Sequence, residues 1–263
     1  MKLNLVPART GVVWVKLGIR TFFRQPLALS GLFFMFLAIM SLASLLPLVG
    51  NALALALLPG ATLGLMAATK EAARGKFPMP SILVSAFRAG RQRLRAMLLL
   101  GALYALGFLL VMGFSALFDG GGFARLYLIG GRLTREMAMA PEFQAAMWAA
   151  MALYLPLSLL FWHAPALVHW HGVPPVKSLF FSAVACLRNF WAFTLFGLAW
   201  VGVFLLAGLA VTLLALLLGS QTVAAAAMVP AALLVAAMFF TSFYFTFRDS
   251  FDEAAEPAAE GSP

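Results

Sequence analysis

Three histidines, His163, His169 and His171, are closely spaced beside Trp162 and Trp170. Imidazole is a common ligand for metal ions and haem. However, no carboxylate or cysteine lies near these histidines in the sequence, and their spacing fits no established ligand motif. Trp and His at a membrane boundary serve as ordinary anchors, so the three histidines read as anchors and no metal site is expected. Cys186, the single cysteine, has no second cysteine to bridge to and reads as a small packing residue. Met137 and Met139 make no copper site. The chain has no Gly-rich phosphate loop, no His-Glu-x-x-His, no Gly-x-Ser-x-Gly and no pair of carboxylates inside an apolar stretch. No nucleophile–base pair can be named. No catalytic residue and no cofactor is therefore expected, and the expectation is a protein that is not an enzyme.

The elements that must carry these residues follow from composition. Of 263 residues, 63% are hydrophobic and 10% charged, with a mean hydropathy of +0.98. Soluble domains hold about 25% charged residues, so a water-soluble globular domain is excluded. Spanning helices need about 20 apolar residues. Six such stretches occur, at Leu27–Val49, Ala52–Thr69, Ala96–Phe118, Gln144–Trp162, Phe190–Leu218 and Val223–Phe247, and none contains Lys, Arg, Asp or Glu. The fold class is all-α, a polytopic membrane protein with a single six-helix domain over residues 1–247. Residues 248–263 read as an acidic disordered tail. A β-barrel would show short alternating segments instead. Proton and ion pumps need ionisable groups within the bilayer; His163 is the single candidate, which disfavours proton-coupled or charged-substrate transport.

Orientation follows from the basic residues. Of the 18 Lys and Arg, all but Arg125, Arg132 and Arg135 fall on one side of the six spans, which places both termini in the cytoplasm. The net charge of +9 is then a collar toward anionic headgroups rather than a nucleic-acid footprint. The residues expected to meet headgroups are Arg24, Arg88, Arg91, Arg93, Arg95 and Arg188. Membrane lipids are the expected partners, with a protein partner or self-association as a further contact and no nucleic acid.

The second span carries Ala56, Gly60, Gly64 and Ala68 at four-residue spacing, which lets helix backbones approach closely. Sliding the chain by 97 residues aligns Leu58–Leu109 with Leu155–Leu206, matching Pro59/Pro156, Gly75/Gly172, Pro78/Pro175, Ser81/Ser178, Ser85/Ser182 and Arg91/Arg188. A fainter copy upstream places Gly18 at the Ser85 position. The units run about 10–70, 79–168 and 176–247, a parallel repeat. Each opens with an amphipathic segment, and three interfacial helices are expected at Thr10–Phe23, Pro80–Arg91 and Val176–Arg188. In the third, Phe180, Ala183, Val184 and Leu187 are expected to oppose Lys177, Ser178, Ser182 and Asn189. Gly18, Ser85 and Ser182 are the small positions expected to press against the bundle.

Each of these segments leads through Arg24-Gln25, Arg91-Gln92 or Arg188-Asn189 into a hydrophobic hairpin, and the chain closes on Phe243-Tyr244-Phe245-Thr246-Phe247-Arg248-Asp249. This pattern resembles a group of uncharacterised six-helix inner-membrane proteins of proteobacteria. It is also similar to the membrane region fused to some glycerophosphodiester phosphodiesterases, although no phosphodiesterase domain is present. The resemblance implies a bacterial inner-membrane location and a six-helix fold, and it carries over no activity. The expected role is that of a non-enzymatic interaction or membrane-organising protein. The alternative is a facilitator or flippase for a neutral or lipidic solute.

Overall fold

Long apolar stretches without charge fold as helices because nothing in hydrocarbon can satisfy an open backbone. The computed structural model describes residues 2–46 and 49–251; most of the acidic tail lies outside the described residues. Helices in chain order are α1 (Thr10–Arg24), α2 (Pro26–Ser44), α3 (Gly50–Ala73), α4 (Ser85–Arg88), α5 (Arg91–Asp119), α6 (Gly122–Ile129) and α7 (Arg135–Met139). They continue as α8 (Pro141–Phe161), α9 (Ala164–His171), α10 (Pro175–Arg188), α11 (Phe190–Leu217) and α12 (Gln221–Ser250). A 3-10 turn at Pro80–Val84 leads into α4. Six of the helical stretches are long and apolar enough to cross a membrane: α2, α3, α5, α8 with α9, α11 and α12. Their outward residues match that reading, with Leu27 87% and Leu217 84% exposed.

The chain forms two compact units, Met1–Leu37, Thr62–Ser85 and Val184–Pro263 in one, Ala38–Ala61 and Ala86–Ala183 in the other. In the first, α1 packs on α12 and α11, which also pack on each other. Its core is aromatic. Phe33 and Phe36 of α2 lie against Phe240, with ring centroids 5.6 and 5.7 Å apart, and Phe239 meets Phe196 and the buried Trp200. In the second unit α5 pairs with α8, flanked by α6, α7 and α9. Phe108 and Tyr154 contact edge to face, and the Tyr104 and Tyr154 hydroxyls lie 3.4 Å apart. Buried hydroxyls bond carbonyls of their own helix, as Thr69 does to Leu65, Ser115 to Met112 and Thr241 to Ala237. Each of these three hydroxyls thereby stays satisfied in an apolar surrounding.

The boundaries differ from the sequence reading at three places. The second short helix stops at Arg88, three residues before the expected end at Arg91, and Gly90 takes φ +95, a left-handed geometry that closes the segment. Arg91 and Gln92 therefore open α5 instead of closing α4. Residues 119–143, which none of the six predicted stretches covers, hold two short helices: Asp119 caps α6 by accepting the Gly121 and Phe123 N–H groups, and Thr134 caps α7. At the C-terminal end α12 continues through Ser250 and Phe251 is buried, so the tail cannot begin at Arg248. Trp14 is the reason: its indole N–H donates to the Asp249 carboxylate at 2.9 Å, while Phe251 bridges to Leu3 in a short antiparallel pair.

Candidate functional site

Chain breaks set the positions of the arginines. Arg24 is the last residue of α1, Arg88 of α4 and Arg188 of α10, while Arg91, Arg93 and Arg95 occupy the first turns of α5. All six are exposed, and among the described residues none pairs with a carboxylate. A cation at a helix C-terminus is favoured by the dipole and by the last free carbonyls. The three at the start of α5 stand at the positive end of a helix, where their charge is opposed. Chemically, this is a set of planar, permanently charged donors open to anionic oxygens.

The small-residue stripe of α3 sits at close approaches. Ala56 presents its backbone to Gly101 of α5, where a Cβ on Gly101 would overlap the Ala56 carbonyl. Gly60 lies under the Phe87 ring, and a Cβ on Gly64 would stand 2.6 Å from the Leu83 carbonyl oxygen. Ala68 is fully buried. On α1, Gly18 faces Ser242 of α12, where a Cβ would come within 2.6 Å of the serine Cβ. The buried face of α1 is Gly11, Trp14, Val15, Gly18, Thr21 and Phe22, with Lys16 and Arg20 exposed.

Helix α10 turns its serine face inward. Ser178, Ser182, Ala185 and Cys186 are buried, whereas Phe180, Phe181 and Leu187 are exposed. The serines turn inward because their hydroxyls have backbone partners there. Ser182 Oγ accepts the His163 N–H at 2.9 Å and donates to the Leu159 carbonyl at 2.8 Å. In an unbroken helix those two groups would bond each other directly. The hydroxyl is thus inserted into the ladder where α8 ends and α9 begins, a recognised cause of a kink. Pro165, with no N–H to offer Phe161, accounts for the opening. His163 is fully buried at this junction. Ser85, the residue aligned with Ser182, has a buried hydroxyl with no bond, and α3 runs unbroken opposite the aligned positions.

Asn189, between α10 and α11, has a role that the sequence reading missed. It is 3% exposed; its Oδ1 accepts the Val6 N–H at 2.9 Å and its Nδ2 donates to the Asn4 carbonyl at 3.1 Å. With the Asn4 N–H bonded to the Ser250 carbonyl at 2.9 Å, the N-terminal segment is held from both sides. The signal available in the sequence was an Asn directly before an apolar run, and its partners lie more than 180 residues away. Cys186 is buried, and burial pushes its thiol up to about 12.

The chain is 42% identical, over 266 aligned positions, to a protein of Burkholderia thailandensis named as a probable inner membrane protein; the alignment covers 100% of this chain and 98% of that protein. The chain belongs to that protein's family. No family profile and no solved structure matches the chain.

Proposed function

We propose that the protein is a multi-pass inner-membrane protein, with both termini cytoplasmic, that organises its surroundings by holding anionic lipid headgroups and protein neighbours without catalysis. The observation that carries this reading is the exposed, carboxylate-free set Arg24, Arg88, Arg91, Arg93, Arg95 and Arg188 at the ends of short helices. Anionic oxygens relieve the repulsion among the cations opening α5, and each basic residue near the headgroups contributes on the order of 1 kcal/mol. The relative's name and the six apolar helices support the location. The outward Phe180, Phe181 and Leu187 of α10 support an interfacial placement, with the phenyl and leucyl groups in hydrocarbon. The repeat is supported by Gly75 and Gly172, which both take left-handed φ at the end of a returning helix. Native mass spectrometry of the chain with Arg88, Arg91, Arg93 and Arg95 all changed to Gln tests the reading. Reduced retention of phosphatidylglycerol and cardiolipin is expected, and retention equal to the parent protein overturns it.

A second reading, a facilitator or flippase for a neutral or lipidic solute, draws on a cavity of about 610 Å³ between the end of α11 and the start of α12, lined by Thr212, Ala215, Gly219 and Ser220. Pockets of that size hold small molecules. Labelled-lipid transfer in reconstituted vesicles at the rate of protein-free vesicles would count against it.

A further inference from the structure

Helix α6, like the shorter α7, has no buried residue. The chain enters it through Gly120 and Gly121, at φ +65 and +90, and leaves through Gly130 and Gly131, at φ +90 and +149. No atom stands near where a Cβ would lie on Gly120 or Gly130, so packing does not dictate those glycines. Glycine pairs of this kind let a short element swing with little torsional penalty. The attachments of α6 are few: the Asp119 cap, the Phe123 ring 5.6 Å from Phe143, the Tyr127 ring 5.7 Å from Phe108, and a hydrogen bond from the Asn51 side-chain amide to the Leu128 carbonyl. Beneath it is a pocket of about 180 Å³ whose walls are Met40, Ala54, Leu55, Leu58 and Phe108 and whose roof is Tyr127 and Leu128.

We propose that α6 is a glycine-hinged lid, latched by Asn51, over a site for the end of one phospholipid acyl chain. The lining carries no formal charge, which excludes an ion or a headgroup from the interior. The space matches cavities of roughly 150 Å³ that take a benzene-sized apolar group, enough for a chain end and too small for a whole lipid. Its walls come from α2, α3 and α5, three of the membrane-crossing helices, so hydrocarbon is the solvent at its mouth. An apolar void that stays empty forfeits dispersion contacts along its lining; a chain end restores them. This site does not depend on the arginine reading, since it involves none of those residues.

The test uses the full chain in lipid nanodiscs containing a phospholipid with a photoreactive diazirine at the end of one acyl chain, with adducts mapped by peptide mass spectrometry. Adducts should concentrate on the Met40, Leu55 and Leu58 peptides. Ala54→Phe, which fills the pocket, should reduce them several-fold, and Asn51→Ala, which removes the latch, should raise them several-fold. Maleimide protection of Cys186 verifies that each variant is folded; if Ala54→Phe fails that check, Ala54→Leu replaces it. Adducts spread evenly over the exposed leucines of α5 and α11, or pocket adducts unchanged by filling, overturn the site. Pocket adducts unchanged by Asn51→Ala overturn the lid.

Discussion

Ser182→Ala removes the hydroxyl that closes the gap between α8 and α9. Two buried backbone groups, the Leu159 carbonyl and the His163 N–H, each lose a hydrogen bond at once. Each such bond lost without replacement costs about 1 kcal/mol. Direct closure of the ladder would recover most of that, but Pro165 stands two residues on and holds the helix open. A net loss of about 2 kcal/mol follows, which for a chain of this size lowers the melting midpoint by roughly 4–8 °C. The protein supplies its own reporter. Cys186 is the single cysteine, buried one turn further along α10, so a maleimide dye that fluoresces on reaction reads the unfolding of that helix in detergent. Ser182→Cys would add a second thiol and confuse the signal, whereas Ser182→Thr keeps the hydroxyl and should recover most of the midpoint. An Ala variant that melts with the parent protein would refute the inserted-hydroxyl account. A Thr variant no better than Ala would show that packing, not the hydrogen bonds, sets the effect.

Other substitutions test the remaining contacts. Gly64→Val places a branched side chain against the Leu83 backbone, which cannot step aside; a loss of about 1–3 kcal/mol is expected from overpacking, read as a lowered midpoint. Asn189→Ala releases Asn4 and Val6, and amide exchange across residues 3–6 should speed up while the cores of α11 and α12 stay protected. The thiol of Cys186 is raised in the folded protein relative to an unfolded value of about 8.5. The neutral form is thus favoured by the fold, its contribution is complete below pH 8.5, and it is lost as pH rises toward 12. Cys186→Ala should flatten part of the alkaline decline of the melting midpoint followed by circular dichroism, and identical alkaline slopes would contradict the assignment.

Much of the architecture is legible because membrane spans announce themselves through length and lack of charge, with no long-range information required. The close-approach positions Gly18, Gly60 and Gly64 are legible for a related reason: small residues at helical spacing have few other uses in hydrocarbon. The features that were not legible depend on distant partners. Ser182 reads as a small position against the bundle, but the partner of its hydroxyl is not legible: in an apolar surrounding a serine seeks the nearest open carbonyl, and that carbonyl belongs to Leu159 on another helix. Asn189 and Trp14 act on segments at the other end of the chain, so Asp249 was read as part of the tail instead of as the acceptor that keeps α12 regular to Ser250. The break at Gly90 was assigned to Arg91 because the aligned copies end at Arg24 and Arg188; a left-handed glycine after Arg88 overrides that pattern.

The arginine collar can act on anionic headgroups of the inner leaflet only if it faces the cytoplasm, and side-specific labelling decides this. In a Cys186→Ala background, Arg93→Cys and Arg132→Cys are each exposed to a membrane-impermeant maleimide on intact spheroplasts. The account predicts labelling at position 132 and none at position 93 until the membrane is opened; labelling at 93 on intact cells, with 132 protected, would contradict it.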